Sequence, residues 1–457
     1  MKLIFLMTDT FRRDHIGAYG NKWVRTPNLD RLASMSNVFD HYYTGSFPTL
    51  PNRRDMHLGV GDKTGVVNTW TGIKDDETTL AERLGRRKIH TMMINDTANT
   101  LVKNMNFMKG FDAWFHVRGQ EGDGWWSDDT VPLEFPVPKE LIRYPPERWR
   151  QILVTRAHRR VEGDWFAPKT YGMACEWIER NYRRDNFLLW AETFDPHEPW
   201  DPPSWYTDLY DPGYKGRVFD APIAGRYRQA GITEREMKHT HARYCGEVTM
   251  VDAAVGRILA TLEKVGILDD VAIFFTTDHG GYFGLEGDYG MARKPHYVRP
   301  TGVVALEGYD KKKGVEVFPL MPALTRIPLF IRLPKQQRGK RFRQIAQPLD
   351  ITPTVLDLFG AAAPPEFLGQ SLLPLIEGKK KTTRRYAFSG ASHGLRQATN
   401  KDWLYAVFTE GQRKPWLMDL KKYPKAYTDV SKKHPDVCRR MRAALEAFDP
   451  CVAECES

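Results

Sequence analysis

Asp9 stands just past a short apolar run at residues 3–7, and Asp278-His279-Gly280-Gly281 just past another at residues 271–277. Open α/β sheets bind ligands outside the carboxyl ends of their strands, so two strand ends offer two carboxylates and an imidazole to one site. Carboxylates with an imidazole suit a divalent metal ion. Taken singly, an acidic residue at a strand end is more often a helix cap or turn former. A second constellation is Thr49-x-Pro51-x-Arg53, at what reads as a helix start. A hydroxyl there lies in the positive end of the helix dipole, which favours its alkoxide and a bound anion, and Arg53, one turn on, can pair with either. The alternative is a structural one, with Thr49 as an N-cap and Pro51 in the first turn.

The elements that must hold these residues are short apolar runs at 3–7, 91–94, 187–190 and 271–276, separated by segments long enough for helices. Such runs read as buried parallel strands with crossover connections. Helices are expected from Pro27, from Glu77 to Leu84, and over residues 350–358 with Pro353 near the first turn. The alternation predicts an α/β fold, a doubly wound and mostly parallel sheet with helices on both faces. After about residue 380 the texture changes to short strands at 386–389, 403–408 and 415–420 and a helix from Pro435 to Phe448. The expected organisation is a catalytic domain over residues 1–380 and a smaller α+β subdomain with an antiparallel sheet over 381–457. Residues 125–170 and 198–227, rich in Pro and aromatic residues and without a clean period, read as ordered insertions at the sheet edge.

With 457 residues, 41% of them hydrophobic, the chain can bury a large core. Its 67 Lys and Arg against 57 Asp and Glu leave +10, which suits an anionic ligand without demanding one. The basic runs at 335–343 and 379–385 read as solvated turns, because no nucleic-acid motif accompanies them, and no nucleic-acid partner is expected. No run approaches the roughly 20 apolar residues of a membrane helix, and the opening segment reads as a first strand. Five cysteines in no paired spacing point to a reducing, cytoplasmic setting, with Cys451 and Cys455 more consistent with a frayed tail than a bridge.

The order Asp9, Thr49-x-Pro51-x-Arg53, Phe194-Asp195-Pro196-His197-Glu198-Pro199-Trp200, Thr277-Asp278-His279-Gly280, Lys294 and Thr325-Arg326-Ile327-Pro328-Leu329 resembles the sulfatases and phosphonate monoester hydrolases of the alkaline phosphatase superfamily. The resemblance extends from Lys2 to about Leu420. It implies metal ligation by Asp9, Asp278 and His279, with Thr49 at the position of the nucleophile, which also touches the metal. By the same resemblance Arg53 steadies the nucleophile, His197 lies beside the leaving-group oxygen and Lys294 contacts the transferred anion. Asn68 and Thr97 resemble anion-contacting positions of the phosphonate monoester hydrolase branch. His393 and His296 are candidates for further contacts, His393 toward substrate. Hydrolysis of a sulfate or phosphate ester develops charge on the attacking, equatorial and leaving oxygens, and these residue types serve all three. A homo-oligomer is plausible by the resemblance alone.

Two departures shape the expectation. Sulfatases of this type carry a Cys or Ser that is oxidised to formylglycine, whereas Thr49 cannot yield that aldehyde, so no formylglycine is expected. Thr10 replaces a further acidic or amide metal ligand, leaving a smaller site for one ion, with manganese, calcium or zinc as candidates. A second ion is not expected, since Asp195 and His197 sit two apart in a Pro-bounded turn. The leading expectation is a metal-dependent hydrolase of phosphate diesters or phosphonate monoesters with a Thr nucleophile, promiscuous toward sulfate esters of small molecules. The alternatives are a sulfatase acting without formylglycine and a catalytically silent binder of sulfated or phosphorylated ligands.

Overall fold

Strand β1 (Lys2–Thr8) sends Leu3, Phe5 and Met7 to one face and Ile4 and Leu6 to the other, all fully buried. A strand apolar on both sides needs helices on both faces. The computed structural model describes residues 1–60, 70–222, 227–228, 230–283, 319–391, 394–409, 414–423 and 428–453, with the backbone of 297–298 and 316–317. After β1 come α1 (Pro27–Ser34), β2 (Asn37–Tyr42), α2 (Thr49–Leu58), α3 (Leu80–Gly85), β3 (His90–Asn95), β4 (Ala113–His116), α4 (Pro146–Ala157), α5 (Phe166–Asn181) and β5 (Phe187–Glu192). The chain continues through α6 (Ser204–Thr207), α7 (Glu234–Lys264), β6 (Val271–Thr277), β7 (Tyr297–Val298), β8 (Glu316–Val317), α8 (Pro322–Thr325), β9 (Leu329–Arg332), β10 (Lys340–Ala346), α9 (Ile351–Leu358) and α10 (Leu373–Ile376). It ends with β11 (Ala387–Ala391), β12 (Leu395–Thr399), β13 (Trp403–Phe408), β14 (Trp416–Asp419) and α11 (Pro435–Phe448).

Among the described residues the main sheet has eight strands in the order β10-β2-β9-β6-β1-β5-β3-β4. Only β9 runs antiparallel to its neighbours, β2 and β6, so the expected α/β class with a mostly parallel sheet is what forms. Helices α1, α5 and α7 cover the face carrying Ile4 and Leu6, and α2, α3, α9 and α10 cover the other. The second sheet, β11-β12-β13-β14, is antiparallel throughout. One of its faces receives Val437, Met441 and Leu445 of α11. The opposite face packs Leu395, Leu404 and Ala406 against Phe47 and Leu324, and Ser389 Oγ donates to the Thr44 carbonyl at 2.7 Å. The small sheet therefore buttresses the loop that leads into α2.

Several expectations shift in detail. The helix read from Glu77 begins at Leu80, because Thr79 and Glu82 form a reciprocal capping box that sets its first turn. The run 335–343 is not all turn: residues from Lys340 onward form β10, an edge strand whose exposed basic side chains keep the edge soluble. The two insertions contain helix α4 and share a small core of their own, in which Ile142, Trp149 and Ile152 meet Phe219 and Tyr227. Among the described residues no helix is long and apolar enough to cross a membrane.

Candidate active site

The register of three central strands builds the site. Thr8 of β1 pairs with Thr277 of β6, so the next residues, Asp9 and Asp278, lie side by side at adjacent carboxyl ends. On the other flank Met7 pairs with Glu192, the last residue of β5, which adds a third carboxylate. Helix α2 then runs in with Thr49 as its first residue, 2% exposed. The loop before it is tied to the same strand end, since Thr44 Oγ1 donates to the Asp278 carbonyl at 2.8 Å.

Arg53, one turn into α2, joins these pieces. Its Nε donates to Glu192 Oε1 at 2.7 Å, and its Nη1 reaches Asp278 Oδ2 at 2.9 Å, Asp9 Oδ2 at 3.1 Å and the Thr49 carbonyl at 3.1 Å. All four charged side chains are wholly buried. Burial opposes the guanidinium charge, yet Glu192, Asp278 and Asp9 outweigh it and raise the pKa of Arg53. Burial likewise opposes the Glu192 carboxylate, and Arg53, the Thr97 hydroxyl at 2.7 Å and the Trp190 indole at 3.0 Å reverse that and lower its pKa. Arg53 is thus fixed in one orientation with its charge retained.

Asp9, Asp278 and His279 bring ligand atoms within 4.8 Å of one another. His279 Nδ1 lies 2.8 Å from the Gly280 carbonyl, which assigns the proton of the neutral ring to Nδ1 and makes Nε2 an electron-pair donor. That Nε2 lies 3.4 Å from Asp278 Oδ2 and 3.9 Å from Asp9 Oδ1. Three electron-rich atoms converging in a buried space, with three carboxylates against one guanidinium among the described residues, form a donor set that fits a divalent cation. Gly280 is required by the packing that holds this loop, since a Cβ there would sit 2.0 Å from the Ala323 carbonyl oxygen. Thr10, with φ of +57°, occupies a left-handed conformation unusual for a β-branched residue. Its hydroxyl donates to Asp9 Oδ1 at 2.6 Å and its amide to Asp278 Oδ1 at 3.1 Å, so it orients both carboxylates.

His197 is 2% exposed, its Nδ1 is 2.8 Å from the Glu198 carbonyl, and its ring stacks on Phe194 with centroids 4.1 Å apart. Asp195 turns away from this histidine, accepting from Gln120 Nε2 and from the Ala167 amide, both at 2.9 Å. Thr97 is brought into the cluster through Glu192 and lies 3.5 Å from Arg53 Nη2. Asn68, Lys294, His296 and His393 lie outside the described residues, as does Cys455. The structure also adds Glu192, which sequence reading did not single out. The signal was present: an acidic residue closing an apolar strand, the same pattern that marks Asp9 and Asp278.

Electron-rich atoms converging at parallel strand ends, with a hydroxyl at the start of the neighbouring helix, form an arrangement capable of metal-assisted ester hydrolysis. The chain belongs to the sulfatase family: the family model described as Sulfatase matches residues 2–361, and that described as N-sulphoglucosamine sulphohydrolase, C-terminal, matches residues 320–449. An arylsulfatase of Clostridium perfringens is 26% identical over 469 residues, covering 94% of this chain and 89% of that relative. Among solved structures, the phosphonate monoester hydrolase of Agrobacterium radiobacter superposes with a TM-score of 0.72 at 19% identity, over 98% of this chain and 95% of that one. A protein solved in complex with its substrate D-glucosamine-2-N,6-O-disulfate superposes with a TM-score of 0.70 at 19% identity, over 99% and 98% of the two chains.

Proposed function

We propose that this hydrolase cleaves phosphate diesters or phosphonate monoesters, with Thr49 as covalent nucleophile and sulfate esters as secondary substrates. The observation that carries the reading is Thr49 itself: a secondary alcohol at the first residue of α2, with Arg53 bonded to its carbonyl and to Asp9 and Asp278. Thr49 cannot become an aldehyde, so its ester must be opened by water at the central atom, a route phosphoryl and phosphonyl groups follow readily. Asp9, Asp278, His279 and Thr49 would hold one divalent ion, with manganese, calcium or zinc the candidates. When bound, it supplies Lewis-acid polarisation of a nonbridging oxygen and lowers the pKa of a ligating hydroxyl.

The protein's own groups do the rest. Thr49 Oγ1 attacks phosphorus while the helix dipole and Arg53 favour its anionic form. Its proton passes to solvent. His197 enters as imidazolium, with Nδ1–H held by the Glu198 carbonyl, and gives its Nε2 proton to the departing alkoxide. Glu198 Oε2 lies 3.4 Å from Nδ1, and the same carboxylate is ion-paired with Arg143. Water, losing a proton to the now neutral His197 Nε2, then attacks phosphorus; the bond between phosphorus and Thr49 Oγ1 breaks, and Thr49 regains its hydroxyl with a proton from solvent. Thr97, Asn68, Lys294 and His393 complete the reading as contacts to the substrate anion. A reducing, cytoplasmic setting, suggested by five cysteines in no paired spacing, is part of the same proposal.

A second reading, a sulfatase working without formylglycine, is favoured by the match to the arylsulfatase of Clostridium perfringens. Nitrophenyl sulfate, phosphate monoester, phosphate diester and phenylphosphonate, assayed with metal-stripped and metal-restored protein, separate the two. The expected result is metal-dependent turnover led by the diester or the phosphonate, with kcat reduced at least about a thousandfold in Thr49→Ala and largely kept in Thr49→Ser. Sulfate in the lead would establish the second reading, and full activity in Thr49→Ala would remove the covalent step from both.

A further inference from the structure

Behind the site, the loop that leaves β1 and the helix α7 bring together a second set of ligating side chains. His241 and Cys245 are four residues apart on α7 and so share a face. His15, in the single turn Arg13–His15, faces them, and one ligand atom from each of the three lies within 4.8 Å of the others. The two Nε2 atoms of His15 and His241 are 2.7 Å apart. Cys245 is fully buried and His15 is 5% exposed.

Hydrogen bonding has already prepared one of these ligands. Asp14 Oδ1 lies 2.9 Å from His15 Nδ1, and the same carboxylate is held by Arg12 through Nε at 2.9 Å and Nη2 at 2.6 Å. A carboxylate on Nδ1 fixes the His15 tautomer, leaving Nε2 to present its lone pair toward His241 and Cys245. This carboxylate–histidine pairing is the arrangement that orients metal-bound imidazoles. Around the cluster is an aromatic wall: Tyr244 and Phe283 lie 5.3 and 6.2 Å from the His15 ring, and Trp23 lies 5.3 Å from the His241 ring. Only His241 opens partly to solvent, so a water can take a fourth position there.

We propose that His15, His241 and Cys245 form a zinc site with a thiolate ligand, separate from the Asp9, Asp278 and His279 group. Two imidazoles and a sulfur select a borderline-soft ion such as zinc over calcium or magnesium. Zinc bonds of about 2.0–2.1 Å to nitrogen and 2.3 Å to sulfur at tetrahedral angles put these ligand atoms about 3.3–3.6 Å apart. The two imidazole nitrogens need to separate by only about 0.6 Å from their 2.7 Å spacing to reach that geometry. On binding, Cys245 loses its Sγ proton to solvent as the zinc–sulfur bond forms, and His241 moves its ring proton from Nε2 to Nδ1.

The ion would clamp α7 to the loop that aims the hydrolytic site. Tyr244, in the same turn as Cys245, accepts from the Arg12 amide at 2.8 Å and donates to the Thr10 carbonyl at 2.9 Å. Thr10 in turn orients Asp9 and Asp278.

Cobalt titration of metal-free, reduced full-length protein tests this. Thiolate-to-cobalt charge-transfer absorption reports sulfur ligation alone, so the Asp9, Asp278 and His279 group, which has no sulfur, is silent. The expected result is a charge-transfer band whose saturated amplitude corresponds to one thiolate-bound cobalt per chain, whatever the silent group takes up, that is displaced by zinc and is lost in both Cys245→Ser and His241→Ala. Should Cys245→Ser fail to fold, His241→Ala carries the comparison, because His241 is the partly exposed ligand. No band in folded wild-type protein, or a band that persists unchanged in His241→Ala, overturns the assignment.

Discussion

Arg53 and Glu192 show how one buried pair can govern a site. The guanidinium touches two prospective metal ligands and the carbonyl of the prospective nucleophile, while Glu192 holds its Nε from behind. Glu192 needs no contact with substrate to matter, since it fixes the residue that does the orienting. Removing one member of a buried pair leaves the other charge without its compensation, at a cost of about 3–5 kcal/mol. Glu192→Ala is therefore expected to lower unfolding free energy by about that amount. Urea denaturation followed by circular dichroism measures it, and a loss below about 1 kcal/mol would mean that Asp9 and Asp278 suffice for Arg53.

At the scale of elements, α7 does more than cover the sheet. Helix α1 starts with Pro27 and receives no side-chain cap from Thr26, so its first-turn amides need acceptors from elsewhere. Asp252 of α7 provides them, accepting from the Leu29 amide at 2.7 Å, the Asn28 amide at 3.2 Å and the Asn28 side chain at 2.9 Å. Burial nevertheless pushes this carboxyl up to about 6. Asp252→Ala leaves those amides without a partner inside the α1–α7 interface and is expected to cost about 1–3 kcal/mol. A calorimetric midpoint equal to wild type would show that water replaces the carboxylate there. The same scale explains the missed elements: α7 and α5 carry mixed polar and apolar faces that become legible only against each other, and β12 is a strand because β11 and β13 pair with it.

Over the whole molecule, buried histidines such as His57 are expected to contribute to the loss of stability in acid. His57 of α2 is 1% exposed, stacks on Trp190 at 4.4 Å and faces Phe107 at 5.6 Å, with neither ring nitrogen hydrogen-bonded among the described residues. Burial lowers its pKa to about 4. A depressed folded value means that stability is fully present above the unfolded value of about 6.5 and is lost as the pH falls through 4. A shift of that size would make this one ring worth on the order of 3 kcal/mol over that interval. His57→Phe keeps an aromatic ring in the stack and removes the titration, so its thermal midpoint should fall less than that of wild type between pH 6.5 and 4. Parallel curves for the two proteins would assign the acid limb to other groups.

The sequence by itself determined the α/β class, the central strands, α11 to the residue, and the grouping of Asp9, Asp278 and His279 at strand ends. These were legible because they depend on local pattern: apolar runs, turn residues, and motifs whose members lie next to a strand or a helix start. Tertiary structure alone decided that Glu192 belongs with Asp9 and Asp278, that Asp195 faces Gln120 and Ala167, and that His15 meets His241 and Cys245. Each of those juxtapositions joins residues distant in the chain through strand register or helix docking. Register across a parallel sheet is set by which strands pair, a free energy summed over both packed faces, and no short stretch of sequence contains that sum.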